Sequence, residues 1–556
     1  MANPDYAHTV PHGDIVPVSL DMNEKDNELA HHDHMQTAEE IRRTLSKGGQ
    51  VQMRSKFDDL GVWASVKRYK FISLVAMAAA FSASLEGYQI NLNGGVISNK
   101  GFVRQFGTGK SAIEGKYVSA WGGIQSAGQT LGQIFLQYAT EALGRKVAMY
   151  IIWVFLVASV LAETLAKNWQ VWLIAKLLSG IGVGMLQATL PVYLSEIAPT
   201  QLRGFLINAY TFWFCLGQLI AGVALNRLNA KNPYDYKDAI LTQWGMLGVM
   251  IIIFVLLPES PWWLASKGKL DHAQKVLTRF NGHLEGYSAQ DEVNVMVATI
   301  EAEKVTAEKN GHVGPWAVLQ GTNLFRLIIA AWPKIIQQFV GLSVFNTYAV
   351  YFFQLAGNKD PFLVSVILGC VQLLAMLITA SLTDSLGRRP MTIYPYAVTT
   401  GSVLALGIIG CFDYSSKSLG SLLIFFACLA TFTTTGASAI GYCYSAEAPT
   451  QRLRAQTAGW GLASSNCVAI LFSFCTPLML NGDAKWGVKT GFFFAGTGTL
   501  ATAVGWFILP ELARRSPAEI DEMFEKKVNP RKFKSYVTEV QMVAEENKRI
   551  QQDIVQ

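Results

Sequence analysis

The sequence carries one set of charged landmarks twice, about 250 residues apart, and each copy lies between long apolar segments. Each copy contains a Gly-Arg turn (141–146 and 384–389), a Glu-Arg pair (Glu196 with Arg203, Glu447 with Arg454) and a Pro-Glu segment (258–260 and 510–512). Internal duplication of this kind is typical of polytopic membrane proteins that build a site near the bilayer midplane between two related halves. The repeat therefore predicts two homologous membrane halves in one chain.

The composition agrees with a membrane protein. Hydrophobic residues make up 51% of the 556 residues, and charged residues only 15%. A helix needs about 20 apolar residues to cross a bilayer, and the chain has twelve apolar segments of suitable length, six on each side of the polar segment 259–322. A single soluble domain could not bury so much apolar surface. We therefore predict an all-α membrane protein with twelve transmembrane helices, arranged as two six-helix halves.

Polar segments divide the chain into five parts. These are a disordered N-terminal tail (1–70), a six-helix half (71–258), a helical loop (259–322), a second six-helix half (323–510) and a C-terminal tail (511–556). Within the loop, apolar residues recur at helical spacing from Leu270 to Phe280 and from Val293 to Ile300. We expect two amphipathic helices there that form a cytoplasmic latch packed against both halves; the alternative is a linker with frayed helices.

The formal net charge of +6 does not indicate nucleic-acid binding, because Lys and Arg concentrate in alternate loops. Basic loops on one side are the signal that keeps that side in the cytoplasm, so we expect both tails and the 259–322 loop to be cytoplasmic. Lys100 and Arg104 depart from the alternation by making the first outer loop basic as well. No nucleophile with its base and no zinc-type cysteine spacing is legible, and the Gly-rich stretch 180–184 indicates close helix packing. We therefore expect no enzyme activity, no metal site and no cofactor.

Several motifs, in this order and spacing, resemble the sugar porter family of the major facilitator superfamily. They are EALGRK (141–146), PVYLSEIAP (191–199) followed by Arg203 and Gly204, PESPWWL (258–264), Gln337 and Gln338 followed by Gly341, and DSLGRR (384–389). The tryptophan pair at 262–263, the run EGY (86–88) and the segment RKFKS (531–535) are similar to fungal α-glucoside (maltose-type) permeases. The resemblance implies the major facilitator fold and alternating-access transport of a small neutral sugar. It also implies a monomer in the lipid bilayer of the plasma membrane.

The resemblance further implies a sugar site made of amides, hydroxyls and aromatic rings. Amides suit sugar hydroxyls because they donate and accept hydrogen bonds at once, and aromatic faces cover the C–H side of a sugar ring. The implied contact positions are Gln218 in the fifth span, Gln337, Gln338 and Ser343 in the seventh, Tyr442 in the tenth, Asn466 in the eleventh, and Thr211 in the fifth. Ser343, Thr211 and Tyr442 stand where many hexose porters carry Asn, Gln and Trp. These departures favour a site reshaped for a larger sugar.

In the family, the repeated charged residues form a cytoplasmic salt-bridge cluster that holds the outward-open state and breaks on inward opening. Here that gate would consist of Glu141, Arg145, Glu196 and Arg203 in the first half, and Asp384, Arg388, Glu447 and Arg454 in the second. A carboxylate near the end of a membrane helix is costly unless it is paired, and a guanidinium fork suits it. The alternative is that the basic residues act only as topology signals.

Energy coupling departs from the family pattern. Proton-linked members carry Gly-Tyr-Asp in the first helix, whereas this chain has Gly-Tyr-Gln at 87–89, and Gln129 stands where maltose-type permeases often carry Glu. Glu86 remains on nearly the same helix face as Gln89, and Lys176 lies in the fourth span where the family often has an Arg. We hypothesise that Glu86 binds the transported proton and that Lys176 is its counter-charge. A static buried ion pair is the alternative.

Three functions fit these residues. The first is proton symport of an α-glucoside or another disaccharide through Glu86, and the second is facilitated diffusion, which the replacement of two acids by amides would explain. The third is a transporter-like sugar receptor that signals through its tails, which tail deletion would separate from a transporter. A drug or peptide exporter would lack the 258–264 motif and the paired amides at 337–338.

Overall fold

The computed structural model of the protein describes residues 62–107, 113–199, 202–284, 287–309, 316–341, 344, 349–355, 360–412, 417–450, 452–481, 486–539 and 541–542. Within these residues the regular structure is helical, without a β-strand. The predicted all-α fold is therefore confirmed. Most of the predicted disordered tail lies outside the described residues, and its last part instead forms the helix Val62–Arg68.

Within the described ranges, twelve spans follow one another along the chain, six in each half. Span 1 consists of two helices, Lys70–Ala80 and Ala83–Val96. Spans 2 to 5 are the single helices Gly115–Leu143, Arg145–Leu165, Trp169–Ile197 and Arg203–Lys231. Span 6 again consists of two helices, Lys237–Leu241 and Gln243–Leu256. Span 7 consists of the helices Gly321–Phe339 and Ala349–Leu355. Spans 8 to 12 are the single helices Pro361–Leu386, Arg388–Ile409, Lys417–Glu447, Arg454–Asn481 and Thr490–Ile508. The shorter helices are Lys100–Phe106, Pro261–Ser266, Leu270–Asn281, Ala289–Lys309 and Pro517–Glu525, with single 3-10 turns at Ala317–Leu319, Gly487–Lys489 and Pro530–Lys532.

The outer surface of the bundle is apolar. Among the described helices, ten are long and apolar enough to cross a membrane, and these are all the spans except 2 and 7. Large apolar side chains point outward, including Leu74 (68% exposed), Phe135 (65%) and Leu500 (70%). A surface of this kind fits lipid rather than water. Spans 2 and 7 are less apolar because they carry buried amides, such as Gln133 and Gln337, toward the interior.

Glycines allow spans 2 and 4 to approach each other closely. A Cβ atom on Gly180 would lie 2.2 Å from the carbonyl oxygen of Gln125, and one on Gly184 would lie 2.2 Å from that of Gln129. Only glycine leaves room for two helix backbones at this separation. The prediction that the stretch 180–184 serves helix packing is therefore confirmed.

The middle loop forms two amphipathic helices, as predicted. Leu270–Asn281 and Ala289–Lys309 share an apolar cluster with Pro261–Ser266. The ring of Phe280 lies 6.0 Å from the ring of Phe71 in span 1, so the loop packs on the first half. At the end of the loop, the ring of Trp316 lies 6.2 Å from the ring of Trp460 in span 11, so the loop also contacts the second half. Contact of its two helices with the second half stays a prediction.

The two halves meet along spans 2 and 11 and along spans 5 and 8. Polar side chains cross this boundary at several depths. The hydroxyl oxygens of Ser126 and Ser473 are hydrogen-bonded at 3.2 Å. The side-chain amide of Asn208 donates a hydrogen bond to the hydroxyl oxygen of Thr383 at 2.9 Å. The interface between the halves is therefore held partly by hydrogen bonds, which can be exchanged when the halves move.

Gly184→Ala is expected to destabilise the protein by about 1–3 kcal/mol, the usual cost of overpacking, because the added methyl group would overlap the backbone of span 2. The apparent unfolding temperature of the purified protein in detergent measures this. Gly248→Ala is the matched control, since a Cβ atom there would meet nothing within 4 Å. Equal unfolding temperatures for the two variants would contradict the close packing of spans 2 and 4.

Candidate functional site

At one end of the bundle, the Gly-Arg turns hold the same ion pair in each half. Gly144 has φ 99°, a left-handed conformation that favours glycine, and Arg145 then begins span 3. The Arg145 guanidinium donates two hydrogen bonds to Glu196 of span 4, Nε to Oε2 at 3.0 Å and Nη2 to Oε1 at 2.7 Å. Arg388 binds Glu447 in the same way, at 3.2 and 3.0 Å. We call these two Arg-Glu pairs the paired gate.

A second carboxylate in each half caps the helix that begins at the turn. Glu259 accepts hydrogen bonds from the backbone N–H groups of Arg145 (2.9 Å) and Lys146 (3.1 Å). Glu511 does the same at the start of span 9, at 2.7 and 3.1 Å. A carboxylate is favourable there because it satisfies free N–H groups and faces the positive end of the helix dipole. The repeated Pro-Glu segments carried the signal for these caps, but their role was not predicted.

The other predicted gate residues surround the paired gate. Oε2 of Glu141 accepts a hydrogen bond from Nε2 of Gln456 at 2.8 Å, which joins span 2 of the first half to span 11 of the second. Arg203 and Arg454 are buried at the starts of spans 5 and 11. The side chain of Asp384 lies outside the part of the chain that the structure describes. The opening and closing of this end stay a prediction.

Deeper in the bundle, the carboxylate of Glu86 in span 1 is buried and accepts hydrogen bonds from two side chains. Its Oε1 accepts from Nε2 of Gln187 at 2.6 Å, and its Oε2 accepts from the hydroxyl of Tyr210. The oxygen of Gln187 accepts from Gln133 at 2.8 Å, and the oxygen of Gln133 accepts from Asn466 of span 11 at 2.9 Å. A chain of hydrogen bonds therefore connects a predicted sugar-contact residue of the second half with the predicted proton-binding carboxylate of the first.

Lys176 does not contact Glu86 in this structure. Its Nζ lies 2.8 Å from Oε1 of Glu163 in span 3, donates to Asn93, and lies 4.2 Å from the ring centroid of Trp172. The predicted contact between Lys176 and Glu86 is therefore not formed, and Lys176 is paired with Glu163 instead. Span 3 supplies a carboxylate in direct contact, and a buried cation is stabilised by the anion that it touches.

The two amides at positions expected to be acidic are buried among neighbouring helices. Oε1 of Gln89 accepts a hydrogen bond from the Ser179 hydroxyl at 2.9 Å. Gln129 is 9% exposed and lies at the glycine contact with Gly184. Neither side chain can take up a proton, so Glu86 is left as the buried carboxylate of span 1.

A narrow cavity lies between the halves. Its volume of about 30 Å³ has room for a water molecule rather than a sugar. Two predicted sugar-contact residues line it, Thr211 from the first half and Gln337 from the second, together with Gln372 and Ser438. The structure therefore brings residues of both halves together around one narrow cavity.

Four other predicted sugar-contact residues are buried outside the lining of this cavity. Gln218 and Gln338 are 1% and 9% exposed. Tyr442 and Asn466 belong to the Glu86 network, because the Tyr442 ring lies 5.2 Å from the Tyr210 ring and Asn466 donates to Gln133. Ser343 lies outside the described residues.

Comparison with known proteins agrees with this architecture. The family described as Sugar (and other) transporter matches residues 75–524. The chain belongs to this family. Among curated relatives of this sugar transporter, the general alpha-glucoside permease of Saccharomyces cerevisiae is 29% identical over 490 residues, which cover 85% of this chain and 78% of the permease. The maltose permease MAL61 of the same yeast is 28% identical over 491 residues, with the same two shares.

Solved structures give the fold of the sugar transporter independently. The proton:xylose symporter XylE bound to 6-bromo-6-deoxy-D-glucose superposes with a TM-score of 0.70 at 20% identity, covering 82% of this chain and 100% of XylE. The inward-open conformation of XylE from E. coli has a TM-score of 0.62 at 19% identity, covering 81% and 99%. The predicted major facilitator fold and the predicted similarity to α-glucoside permeases are both confirmed.

Sequence reasoning missed several residues that the structure places in these networks. Gln133 and Gln187 are polar residues inside apolar segments, and Glu163 is a carboxylate inside one. Ionisable groups at membrane depth are costly and therefore mark a function or a partner. The signal was present, but nothing in one sequence indicates which helices face each other.

Glu259→Gln is expected to lower stability by about 1–2 kcal/mol, because an amide offers one acceptor oxygen and no charge to the N-terminus of span 3. The apparent unfolding temperature in detergent is the measurement. Glu301→Gln is the control, since Glu301 forms a partly exposed pair with Lys304 at 2.6 Å on a loop helix and such pairs contribute about 0–1 kcal/mol. The capping role is contradicted if Glu259→Gln unfolds no earlier than the control.

Proposed function

We propose that this sugar transporter takes up an α-glucoside, or another neutral disaccharide, together with a proton bound by Glu86. One observation carries the proposal. Glu86 is buried at the end of a hydrogen-bond chain that starts at Asn466 in the opposite half. Movement of the second half would change this hydrogen-bond chain and with it the affinity of Glu86 for a proton, which is the property that coupling requires.

Names of relatives support the substrate class and the coupling. The α-glucoside and maltose permeases of yeast share 28–29% of their residues with this chain. A bacterial protein with the same fold is a proton:xylose symporter. Tyr442 and Thr211, which replace a bulkier Trp and Gln of hexose porters, favour a site with more room than one hexose needs.

Alternating access follows from the arrangement of the two ends. In the state described here the paired gate is formed and the central cavity is narrow. We infer that this charged end faces the cytoplasm of a cell whose plasma membrane holds the protein as a monomer, with both termini inside. Gln218, Gln337, Gln338 and the other predicted contact residues would then bind the sugar when the outer ends of the halves part.

The driving force available to one proton is sufficient for accumulation. One charge that moves down a membrane potential contributes ~2.3 kcal/mol per 100 mV. At 100 mV this corresponds to roughly fiftyfold accumulation of the sugar. Protonation of Glu86 would remove its negative charge and turn one oxygen from an acceptor into a donor. Its bonds from Gln187 and Tyr210 would then weaken, and the change would pass through Gln133 to Asn466 in the second half.

Glu86→Gln is therefore expected to abolish uphill uptake and to retain exchange, at roughly a tenth of the wild-type rate or more. Vesicles containing the purified protein are given radiolabelled maltose with and without an imposed inward proton gradient. Wild type should accumulate maltose roughly ten- to fiftyfold with the gradient, whereas the variant should only equilibrate it. Counterflow of preloaded maltose measures exchange in both.

Other results would redirect the proposal. Gradient-driven accumulation that survives in Glu86→Gln would remove Glu86 from the coupling step. Equilibration of maltose by wild type, with or without the gradient, would identify a facilitator. Sugar binding without movement would identify a receptor, in which deletion of the tails should abolish the output.

A further inference from the structure

Span 7 carries a buried cation that the mechanism above does not use. Lys334 is 6% exposed and lies three residues before Gln337 on the same helix. Within the part of the chain that the structure describes, its ammonium forms no ion pair. It donates to the Ser438 hydroxyl at 2.9 Å and lies 3.5 Å from the ring centroid of Tyr442. A membrane cation held by one hydroxyl and one aromatic face is costly, and it calls for a compensating charge.

Two tyrosines connect this cation with Glu86. The rings of Tyr442 in span 10 and Tyr210 in span 5 meet edge-on, with centroids 5.2 Å apart and planes at 68°. The Tyr210 hydroxyl donates to the Glu86 carboxylate. Because spans 5 and 10 belong to different halves, the line from Lys334 to Glu86 crosses the boundary that moves during transport.

The two charges act on each other although they do not touch. The rings of Tyr442 and Tyr210 lie between Lys334 and Glu86, and the two side chains carry opposite charges when both are ionised. The other titratable groups that face the lysine are Tyr442 and Cys443 of span 10 and Cys215 of span 5. None of these is an anion at neutral pH by its ordinary chemistry. In a dry interior, where screening by water is weak, opposite charges attract over longer distances than at a surface.

We propose that Lys334, rather than Lys176, is the charge partner of Glu86. Through this pair, sugar binding in the second half changes the electrostatic environment of Glu86 in the first. Ser438, which holds the ammonium, also lines the central cavity beside Gln337. A sugar hydroxyl that binds at this wall competes for Ser438 and shifts the ammonium. The shift of the ammonium changes the affinity of the Glu86 carboxylate for a proton.

The Glu86–Lys334 pair also determines the net charge that crosses the membrane with the sugar. With Glu86 ionised, the pair is neutral. When a proton from the outer solution forms an O–H bond on Glu86, the pair carries one net positive charge, which a negative-inside potential drives inward. The step transfers one proton and no electrons. The sugar-reporting part of this proposal rests on the proposed transport function, whereas the charge pairing does not.

A double-mutant cycle on Glu86→Gln and Lys334→Gln tests the pairing. Each single variant leaves one buried charge without its partner, so each should lower the rate of maltose counterflow roughly tenfold and lower the apparent unfolding temperature. The double variant should recover counterflow to within about threefold of wild type and regain roughly half or more of the lost unfolding temperature. It should still fail to accumulate maltose, because Glu86 is gone. Lys334→Arg should retain counterflow, since the positive charge stays.

A second cycle provides the matched control. Lys176 is ion-paired with Glu163, so Lys176→Gln should not rescue Glu86→Gln, whereas it should rescue Glu163→Gln. The proposal is overturned if the defects of Glu86→Gln and Lys334→Gln multiply to roughly a hundredfold loss, or if Lys176→Gln rescues Glu86→Gln equally well.

The two proposals can fail separately. If wild type does not move maltose, the unfolding temperatures of the same variants still decide the pairing. If Glu86→Gln accumulates maltose yet the cycle shows rescue, the charge pair stands and the proton site is elsewhere.

Discussion

A carboxylate inside a membrane protein must be hydrogen-bonded, and the bonds that Glu86 accepts tie together the centre of this molecule. Gln187 approaches it from span 4 and Tyr210 from span 5. Through Gln133 and Asn466 the same network reaches span 11, so the environment of one carboxylate depends on the position of both halves. This dependence is what allows a proton on Glu86 and the movement of the halves to influence each other.

At the charged end, the duplicated sequence forms the same set of contacts in each half. In each half a glycine reverses the chain, an arginine binds a glutamate of the next span, and a second glutamate caps the new helix. Tyr193 and Tyr444 also occupy equivalent places, and their hydroxyls donate to the carbonyls of Pro258 and Pro510 at 2.9 and 2.6 Å. Each half can therefore move as a rigid unit at this end. The contact of Glu141 with Gln456, in contrast, joins the halves and must break when they separate.

Much of this could be read from the sequence. The repeat located both turns, and the rule that a buried carboxylate needs a partner led from Glu196 to an arginine. Helical spacing of apolar residues gave the two loop helices, and small residues at 180–184 gave a close helix crossing. These features are local, or they are repeated, so one chain contains enough information to find them.

The partners of the buried charges could not be read in the same way. Lys176 was assigned to Glu86 by family position, whereas contact with Glu163 depends on how spans 3 and 4 are rotated against each other. The chain of amides and the approach of Lys334 to Tyr442 depend on the packing of five helices from both halves. Such contacts are set by tertiary structure, and spacing along one helix does not contain them.

The most direct measurement is the current that maltose evokes across a membrane containing the wild-type protein, recorded together with maltose influx at a clamped, inside-negative potential. If Glu86 carries a proton with each sugar, maltose should evoke an inward current that grows as the external pH is lowered, with about one charge per sugar molecule. Maltose influx without a current at any external pH would contradict proton coupling, and Glu86 would then be a structural carboxylate of a facilitator.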